Sequence, residues 1–223
     1  VGPQACRHRP PERFSMLRIL GRNNSSNVQK VLWCCDELAI PFTREDYGGA
    51  FGKTTEAPYL ELNPNSRVPT IIEDDTFVLW ESNVIVRYLA DKYGKGWLMP
   101  RDPRARADAD RWMDWQQTTV LTFMTPLFWG LVRTPEDQRD PAALAAHRAT
   151  GAEVFAILDR RLSGRDFVIG ETLTVADLPL GVMAHRWFAL VDDGPEFAAM
   201  RAWYARLCDR SPFAKNIRNL ALT

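Results

Sequence analysis

The chain has 223 residues, a length that suits one large domain or two small ones. Hydrophobic residues make up 46% and charged residues 25%, which excludes a collagen-like, disordered or coiled-coil chain. Lysine plus arginine and aspartate plus glutamate both number 28, so the formal net charge is zero and we expect no nucleic-acid or membrane partner. The sequence contains no run of about 18 apolar residues, so we expect no transmembrane helix.

The beginning of the chain and its cysteines indicate the cellular setting. Residues 1–15 are basic and rich in proline, and Met16 stands directly before the first strand-like run, so we expect a disordered leader or tag there. The four cysteines show no C-x-x-C spacing and form no metal-ligand pattern with the histidines. We therefore expect no metal, no structural disulfide and a reducing, cytoplasmic location.

Residues 16–94 alternate short strand-like runs with amphipathic helical ones. The order is βαβ followed by ββα, which predicts a small mixed sheet with helices packed on it. The predicted elements are a strand at 17–20, a helix at 28–38, a strand at 42–45, a hairpin with strands at 68–72 and 77–80, and a helix at 82–93.

Residues 95–103 contain two prolines and are predicted to link this part to an all-helical part, residues 104–223. The fold class expected for the whole chain is α+β with helices in the majority. The predicted helices of the second part run through residues 112–131, 141–162, 174–187 and 197–207. The third of them begins at Thr174 and Asp177, whose spacing is that of a capping box.

Three short polar segments carry the candidate chemistry, and each has a structural alternative. Residues 21–27, between a strand and a helix, either cap the helix or donate hydrogen bonds to an anion such as a thiolate. The Val68–Pro69 bond is either an ordinary trans bond or a cis bond that would turn the Val68 peptide groups toward an extended ligand. Glu81 and Ser82 either cap a helix or hold the ammonium and carboxylate of a ligand.

In this order, and followed by an all-helical half, these segments resemble the cytosolic glutathione transferases, in particular bacterial serine-type, theta- or nu-like members. The resemblance covers residues 16–215. It rests most on Ser25 before the first helix, on Val68–Pro69, on Glu81–Ser82 and on the capping box at residues 174–177. It implies a thioredoxin-like N-terminal domain, an all-α C-terminal domain and a homodimer.

The resemblance also assigns a catalytic centre. In serine-type members a serine before the first helix donates a hydrogen bond to the glutathione sulfur, and Ser25 matches it; Asn27 and, less directly, Ser26 match alternative donors in a related bacterial pattern. A hydroxyl donor at a helix N-terminus stabilises a thiolate and lowers the pKa of the thiol. Residues 25–28 lack the C-x-x-C of thioredoxin-like redox enzymes. Cys34 and Cys35, further along the helix, are expected to be packing residues.

Glutathione is implied as the co-substrate, and further residues match its binding positions. Val68, preceding Pro69, resembles the residue whose backbone pairs with the cysteinyl unit. Glu81 and Ser82 resemble the anchors of the γ-glutamyl unit. Arg67 is a candidate partner for the glycyl carboxylate, with a solvated surface arginine as the alternative.

The predicted reaction is the activation of the glutathione thiol for attack on an electrophile, a disulfide or a peroxide, with a role in detoxification. The acceptor is expected to be small and either hydrophobic or thiol-reactive, in a pocket lined by Trp112, Trp115 and Phe123. His185 is expected to be a hydrogen-bonded core residue rather than a pocket residue. The alternatives are a non-catalytic protein-interaction module and a glutathione-dependent isomerase or dehalogenase.

Overall fold

The computed structural model describes residues 17–223, and a four-stranded sheet forms the centre of their first part. Its strands are β1 (Leu17–Leu20), β2 (Phe42–Glu45), β3 (Thr70–Glu73) and β4 (Phe77–Trp80). Their order in the sheet is β2-β1-β3-β4. Strand β1 runs parallel to β2 and antiparallel to β3, and β3 and β4 form the predicted hairpin. The small mixed sheet predicted from the sequence is therefore confirmed.

Three helices accompany the sheet, namely α1 (Ser26–Glu37), α2 (Ala57–Leu62) and α3 (Ser82–Tyr93). Helix α1 connects the parallel strands β1 and β2, and its apolar positions are buried where it packs against α3. The predicted helices α1 and α3 are confirmed. The short helix α2 is a further finding, since six residues are too few to show a clear helical period in the sequence.

The rest of the described chain is helical, as predicted, which gives an α+β fold with helices in the majority. Of the linker predicted over residues 95–103, residues 95–102 contain no helix or strand, and Pro103 is the first residue of α4. No helix formed by residues 17–223 has the length and apolarity that crossing a membrane requires. The helices are α4 (Pro103–Trp115), α5 (Leu121–Phe128), α6 (Pro141–Leu162), α7 (Asp177–Leu190), α8 (Ala198–Cys208) and α9 (Ser211–Phe213).

The predicted continuous helix over residues 112–131 is wrong in detail. Two π-helical turns, Gln116–Val120 and Trp129–Arg133, flank α5. A π turn holds more residues than an α turn, so it rotates the following side chains relative to a regular period of 3.6. The side chains of α5 and of the π turn after it therefore point in directions that differ from those extrapolated from α4.

Asp177 at the start of α7 connects three segments of the helical part. Its carboxylate accepts hydrogen bonds from the Thr174 N–H at 2.8 Å and the Thr174 hydroxyl at 3.1 Å, so the acidic half of the predicted capping box is confirmed. Ala176, not Thr174, is the N-cap residue of α7. The Asp177 carboxylate also accepts from the N–H of Val168 and from the indole N–H of Trp203 on α8, both at 2.9 Å. Asp177 is fully buried, so these four hydrogen bonds take the place of those that its carboxylate would form with water.

An aromatic cluster fills the core between α5, α6 and α7. Phe123, Phe155 and Trp187 meet edge to face, with ring centroids between 5.2 and 6.0 Å apart. Gly151 on α6 lets them approach, because a Cβ there would lie 2.3 Å from the Trp187 ring and 2.8 Å from the Phe123 ring. The cluster is closely packed, with Phe123 only 1% exposed.

Candidate active site

A cavity of about 530 Å³ opens at the N-terminal end of α1. The strand register places two candidate segments beside it, because Leu20 at the end of β1 pairs with Thr70 at the start of β3. Gly21 permits the close approach of the two loops, since a Cβ there would lie 3.3 Å from the Cβ of Val68. The predicted residues that line the cavity are Ser25, Ser26, Asn27, Arg67 and Val68.

Ser25 occupies the N-cap position of α1, but its side chain forms no capping hydrogen bond within residues 17–223. Only its backbone joins the helix, through a carbonyl that accepts from the Gln29 N–H at 2.8 Å. The hydroxyl therefore remains available to a ligand at the positive end of the helix dipole. The alternative prediction, in which the Ser25 side chain caps the helix, is therefore not observed.

A chain of hydrogen bonds orients the amide of Asn27. The Nζ of Lys30 donates to the Ser82 hydroxyl oxygen at 3.2 Å, and the Ser82 hydroxyl donates to Asn27 Oδ1 at 3.3 Å. Since its oxygen accepts from Ser82, the Asn27 amide presents its NH₂ group as a donor on the cavity side. Ser82 is 4% exposed and lies behind the cavity wall rather than in its lining.

Lys30 is a feature that the helical pattern did not indicate, because a lysine on an amphipathic helix is usually at the surface. It is fully buried, and its Nζ also donates to Asn83 Oδ1 and Gln116 Oε1, both at 3.1 Å. Burial lowers its pKa from 10.5 to about 7; the negative charge of Glu81 opposes this and the positive charge of Arg186 adds to it.

The stability of the protein should therefore depend on pH through Lys30. Unfolding restores the ordinary pKa, so between pH 7 and pH 10 the unfolded chain binds more protons than the folded one, and stability rises with pH. We expect the stability of wild type relative to Lys30→Met to rise by up to about 1.4 kcal/mol per pH unit in this range. Equilibrium urea unfolding at pH 6.5, 8 and 9 measures this difference.

The exposed Lys53 provides the matched control for this prediction. The stability difference between wild type and Lys53→Met should stay constant over the same pH range. Parallel pH profiles for wild type and Lys30→Met would contradict the assignment of a depressed pKa to Lys30.

The peptide groups of Val68 are free for a ligand. The Val68–Pro69 bond is cis, and within residues 17–223 neither the N–H nor the C=O of Val68 has a hydrogen-bond partner. The loop is held nearby, because the carbonyl of Arg67 accepts from the Tyr59 hydroxyl at 2.7 Å and from Asn63 Nδ2 at 2.9 Å. An extended peptide can therefore pair with a fixed edge here. Arg67 itself is exposed.

Glu81 adopts an unusual backbone conformation at the N-terminus of α3, with φ of 72° and ψ of 105°. A non-glycine residue in such a region costs of the order of 1–3 kcal/mol, and such strain concentrates at binding sites. Its side chain forms no cap hydrogen bond in the helix and accepts only a long one, 3.4 Å, from Gln117 Nε2. Glu81 is exposed at the start of α3, and the next residue, Ser82, contacts Asn27.

The three aromatic residues predicted for the acceptor pocket do not line the cavity. Phe123 lies in the aromatic core, and Trp112, which is 8% exposed, contacts Trp115 edge to face. The lining residues of this part of the chain include Thr125, Phe128 and Trp129 instead. They follow the π-helical turn Gln116–Val120, so their orientation does not continue the period extrapolated from α4.

The remaining candidates lie in packed environments. Cys34 and Cys35 are fully buried, and burial raises the pKa of both thiols, which confirms that they are packing residues. His185 Nδ1 lies 2.7 Å from the Tyr204 hydroxyl, as expected for a hydrogen-bonded core histidine, and burial lowers its pKa to about 4. Residues 17–223 contain no group of three or more histidine, cysteine or acidic side chains arranged to hold a metal.

Sequence reasoning missed three arginines of the cavity wall, Arg22, Arg133 and Arg186. They come from the loop after β1, from the π turn after α5 and from α7, so no local motif contains more than one of them. Only the packing of the helical part onto the sheet brings them together.

Comparison with known proteins agrees with this architecture. The model of the glutathione S-transferase N-terminal domain matches residues 24–92, and that of the C-terminal domain matches residues 120–211. Glutathione S-transferase GstB of Escherichia coli K12 is 36% identical over 201 residues, which cover 90% of this chain and 97% of that protein.

Two solved structures are similar over nearly the whole chain. The theta-class glutathione S-transferase of Xanthomonas axonopodis pv. citri, with glutathione bound, is 43% identical with a TM-score of 0.88, covering 93% of this chain and 99% of that one. The glutathione transferase URE2P8 of Phanerochaete chrysosporium, with oxidized glutathione, is 25% identical with a TM-score of 0.81, covering 90% and 92%. This chain belongs to the glutathione S-transferase family, as its motifs predicted.

Proposed function

We propose that this glutathione transferase ionises glutathione at the N-terminus of α1, with the Ser25 hydroxyl and the Asn27 amide donating to the sulfur. The observation that carries the proposal is the uncommitted Ser25 side chain, which forms no cap and lines the cavity. A free thiol has a pKa of about 8.5, and hydrogen-bond donors together with a helix N-terminus favour its ionised form. Ser26, also in the cavity lining, is the alternative donor.

Glutathione is proposed to bind as an extended peptide across the loop before β3. The unpaired N–H and C=O of Val68, next to Pro69, pair with its cysteinyl unit. Glu81 and the N-terminal turn of α3 that begins at Ser82 hold the γ-glutamyl ammonium and carboxylate, the latter on backbone N–H groups. Arg67, which is exposed and lines the cavity, is proposed to bind the glycyl carboxylate. The solved structure from Xanthomonas with glutathione bound supports this co-substrate.

The thiolate then attacks an electrophile, a disulfide or a peroxide. Residues 25–28 lack the C-x-x-C of thioredoxin-like redox enzymes, and the neighbouring cysteines are buried, so redox chemistry would use the glutathione sulfur.

Ultraviolet titration of glutathione bound to the protein tests this function, because the thiolate absorbs where the thiol does not. We expect the bound thiol to ionise at least about one pH unit below the free value. In Ser25→Ala the shift should shrink while binding persists. Binding with an ordinary thiol pKa in wild type would overturn the catalytic role of Ser25, and failure to bind millimolar glutathione would favour a non-catalytic interaction module.

A homodimer is proposed as well, together with the cytoplasmic location and detoxification role that the family resemblance implies. Large apolar side chains are exposed on β4 and α3, where Phe77 is 42%, Trp80 37% and Val84 42% exposed. Large apolar side chains left exposed on the surface are candidates for a protein–protein interface. Sedimentation velocity at micromolar concentration measures the oligomeric state, and a monomer would contradict this proposal.

A further inference from the structure

One part of the cavity wall, defined by three arginines and called here the basic wall, is strongly basic. Arg22, Arg133 and Arg186 line it, and no aspartate or glutamate is found among the lining residues within the part of the chain that the structure describes. Arg22 Nη1 donates to Asn24 Oδ1 at 3.0 Å, and Arg133 Nη2 donates to the Thr223 backbone oxygen at 2.5 Å. The side-chain amide that accepts from Arg22 carries no charge, and none of the described lining side chains is acidic, so positive charge accumulates at this wall.

Arg186 is the central residue of the basic wall. Its guanidinium carbon lies 4.0 Å from the centroid of the Phe128 ring, and that of Arg133 lies 5.9 Å from the same centroid. The Nε of Arg186 is buried and has no hydrogen-bond partner within residues 17–223. A buried donor without a partner costs of the order of 1–3 kcal/mol, which a ligand acceptor would recover.

The three like charges also act on one another. Burial lowers the pKa of Arg186 to about 10, and the positive charges of Arg22 and Arg133 contribute to this shift. Burial, followed by the charge of Arg133, lowers the pKa of Arg22 as well. An anion bound between these groups would relieve their repulsion, because opposite charge favours the protonated guanidinium.

We propose that the acceptor substrate carries a carboxylate, which Arg186 binds together with Arg133 and Arg22. This inference rests on the proposed function, with glutathione bound at Ser25 in the same cavity, and it adds a carboxylate to the small hydrophobic or thiol-reactive acceptor that the sequence predicts. Phe128 and the 60%-exposed Trp129 supply the apolar surface for the rest of the molecule. A guanidinium presents two parallel N–H donors that match a carboxylate.

A matched pair of acceptors tests this, 4-chloro-3-nitrobenzoate and 4-chloro-3-nitrobenzamide. With either one, the glutathione sulfur bonds to the ring carbon, the carbon–chlorine bond breaks, chloride leaves and the thiol proton passes to solvent. Each kcat/KM is divided by the uncatalysed rate constant, which removes the difference in intrinsic reactivity. We expect wild type to favour the benzoate at least about tenfold, as one charge-assisted hydrogen-bond pair implies.

Arg186→Met should reduce this selectivity ratio at least about tenfold. Arg133→Gln should reduce it by about threefold or more, and this arginine is exposed, so its replacement does not endanger folding. The matched control is Arg104→Met, an exposed arginine on α4 outside the cavity lining, which should keep the wild-type ratio. Equal ratios in wild type, Arg186→Met and Arg133→Gln would overturn the proposal.

Glutathione disulfide distinguishes a small acid from a second glutathione unit as the source of the carboxylate. If the arginine variants lose activity with the disulfide and not with the benzoate, the wall holds a glutathione carboxylate, and a small acidic acceptor is excluded. The thiolate titration separates this inference from the proposed function. An ionised bound thiol with no preference for the benzoate overturns the inference alone, and an un-ionised bound thiol overturns the proposed function.

Discussion

Replacing Ser25 and Asn27 together by alanine should lower kcat/KM at least about tenfold. Each is proposed to donate a hydrogen bond to a sulfur that carries negative charge, and such a bond contributes about 1.5–3 kcal/mol. Since about 1.4 kcal/mol corresponds to a tenfold change in rate, the loss of two donors can exceed tenfold although the backbone N–H groups of α1 remain. Initial rates with 4-chloro-3-nitrobenzamide, at saturating glutathione and pH 6.5, measure the effect.

The single variants apportion this loss between the two residues. Asn27 is oriented by Ser82, so Ser82→Ala should also weaken its contribution. Asn23→Ala is the matched control, because Asn23 is an exposed amide in the same loop outside the cavity lining. Unchanged turnover in the double variant would remove Ser25 and Asn27 from the reaction and direct attention to Ser26.

Asp177→Ala should destabilise the protein by about 3–5 kcal/mol, because a buried charged acceptor is lost and its donors are left without partners. Two backbone N–H groups, a hydroxyl and an indole N–H all donate to this carboxylate. Their loss would separate the start of α7 from Trp203 on α8. Equilibrium urea unfolding followed by far-ultraviolet circular dichroism measures the change.

The matched control for this prediction is Asp166→Ala. Asp166 pairs with Arg206 at 2.9 Å, but its side chain is 52% exposed, so the expected cost is below about 1 kcal/mol. A loss in Asp177→Ala no larger than in the control would show that the buried hydrogen bonds do not hold the helical part together.

Local patterns were sufficient for most of the fold. The predicted strands at 17–20, 42–45 and 77–80 coincide with β1, β2 and β4, and the predicted helix at 141–162 coincides with α6. Such elements are predictable because apolar periodicity and turn residues act over a few positions of the chain. The capping interaction of Asp177 was likewise predictable from its spacing to Thr174.

The residues of the candidate site likewise differ in whether a short segment of sequence could predict them. Ser25, Asn27 and Val68 could be named from short segments, and the structure places them around one cavity. Their catalytic and binding roles stay predictions for the thiolate titration and the kinetics. The burial of Lys30 could not be predicted, because its partner Gln116 is 86 positions away in the chain.

The sequence by itself therefore determined the family, the order of elements and the residues proposed to bind glutathione, since each is carried by short segments of the chain. The tertiary structure alone decided the acceptor side. Phe128 lines the cavity in place of the predicted rings, and helix packing brings Arg22, Arg133 and Arg186 from distant positions to one wall. Charge at a site depends on distances in space, and a pattern along the chain carries no information about contacts between such remote positions.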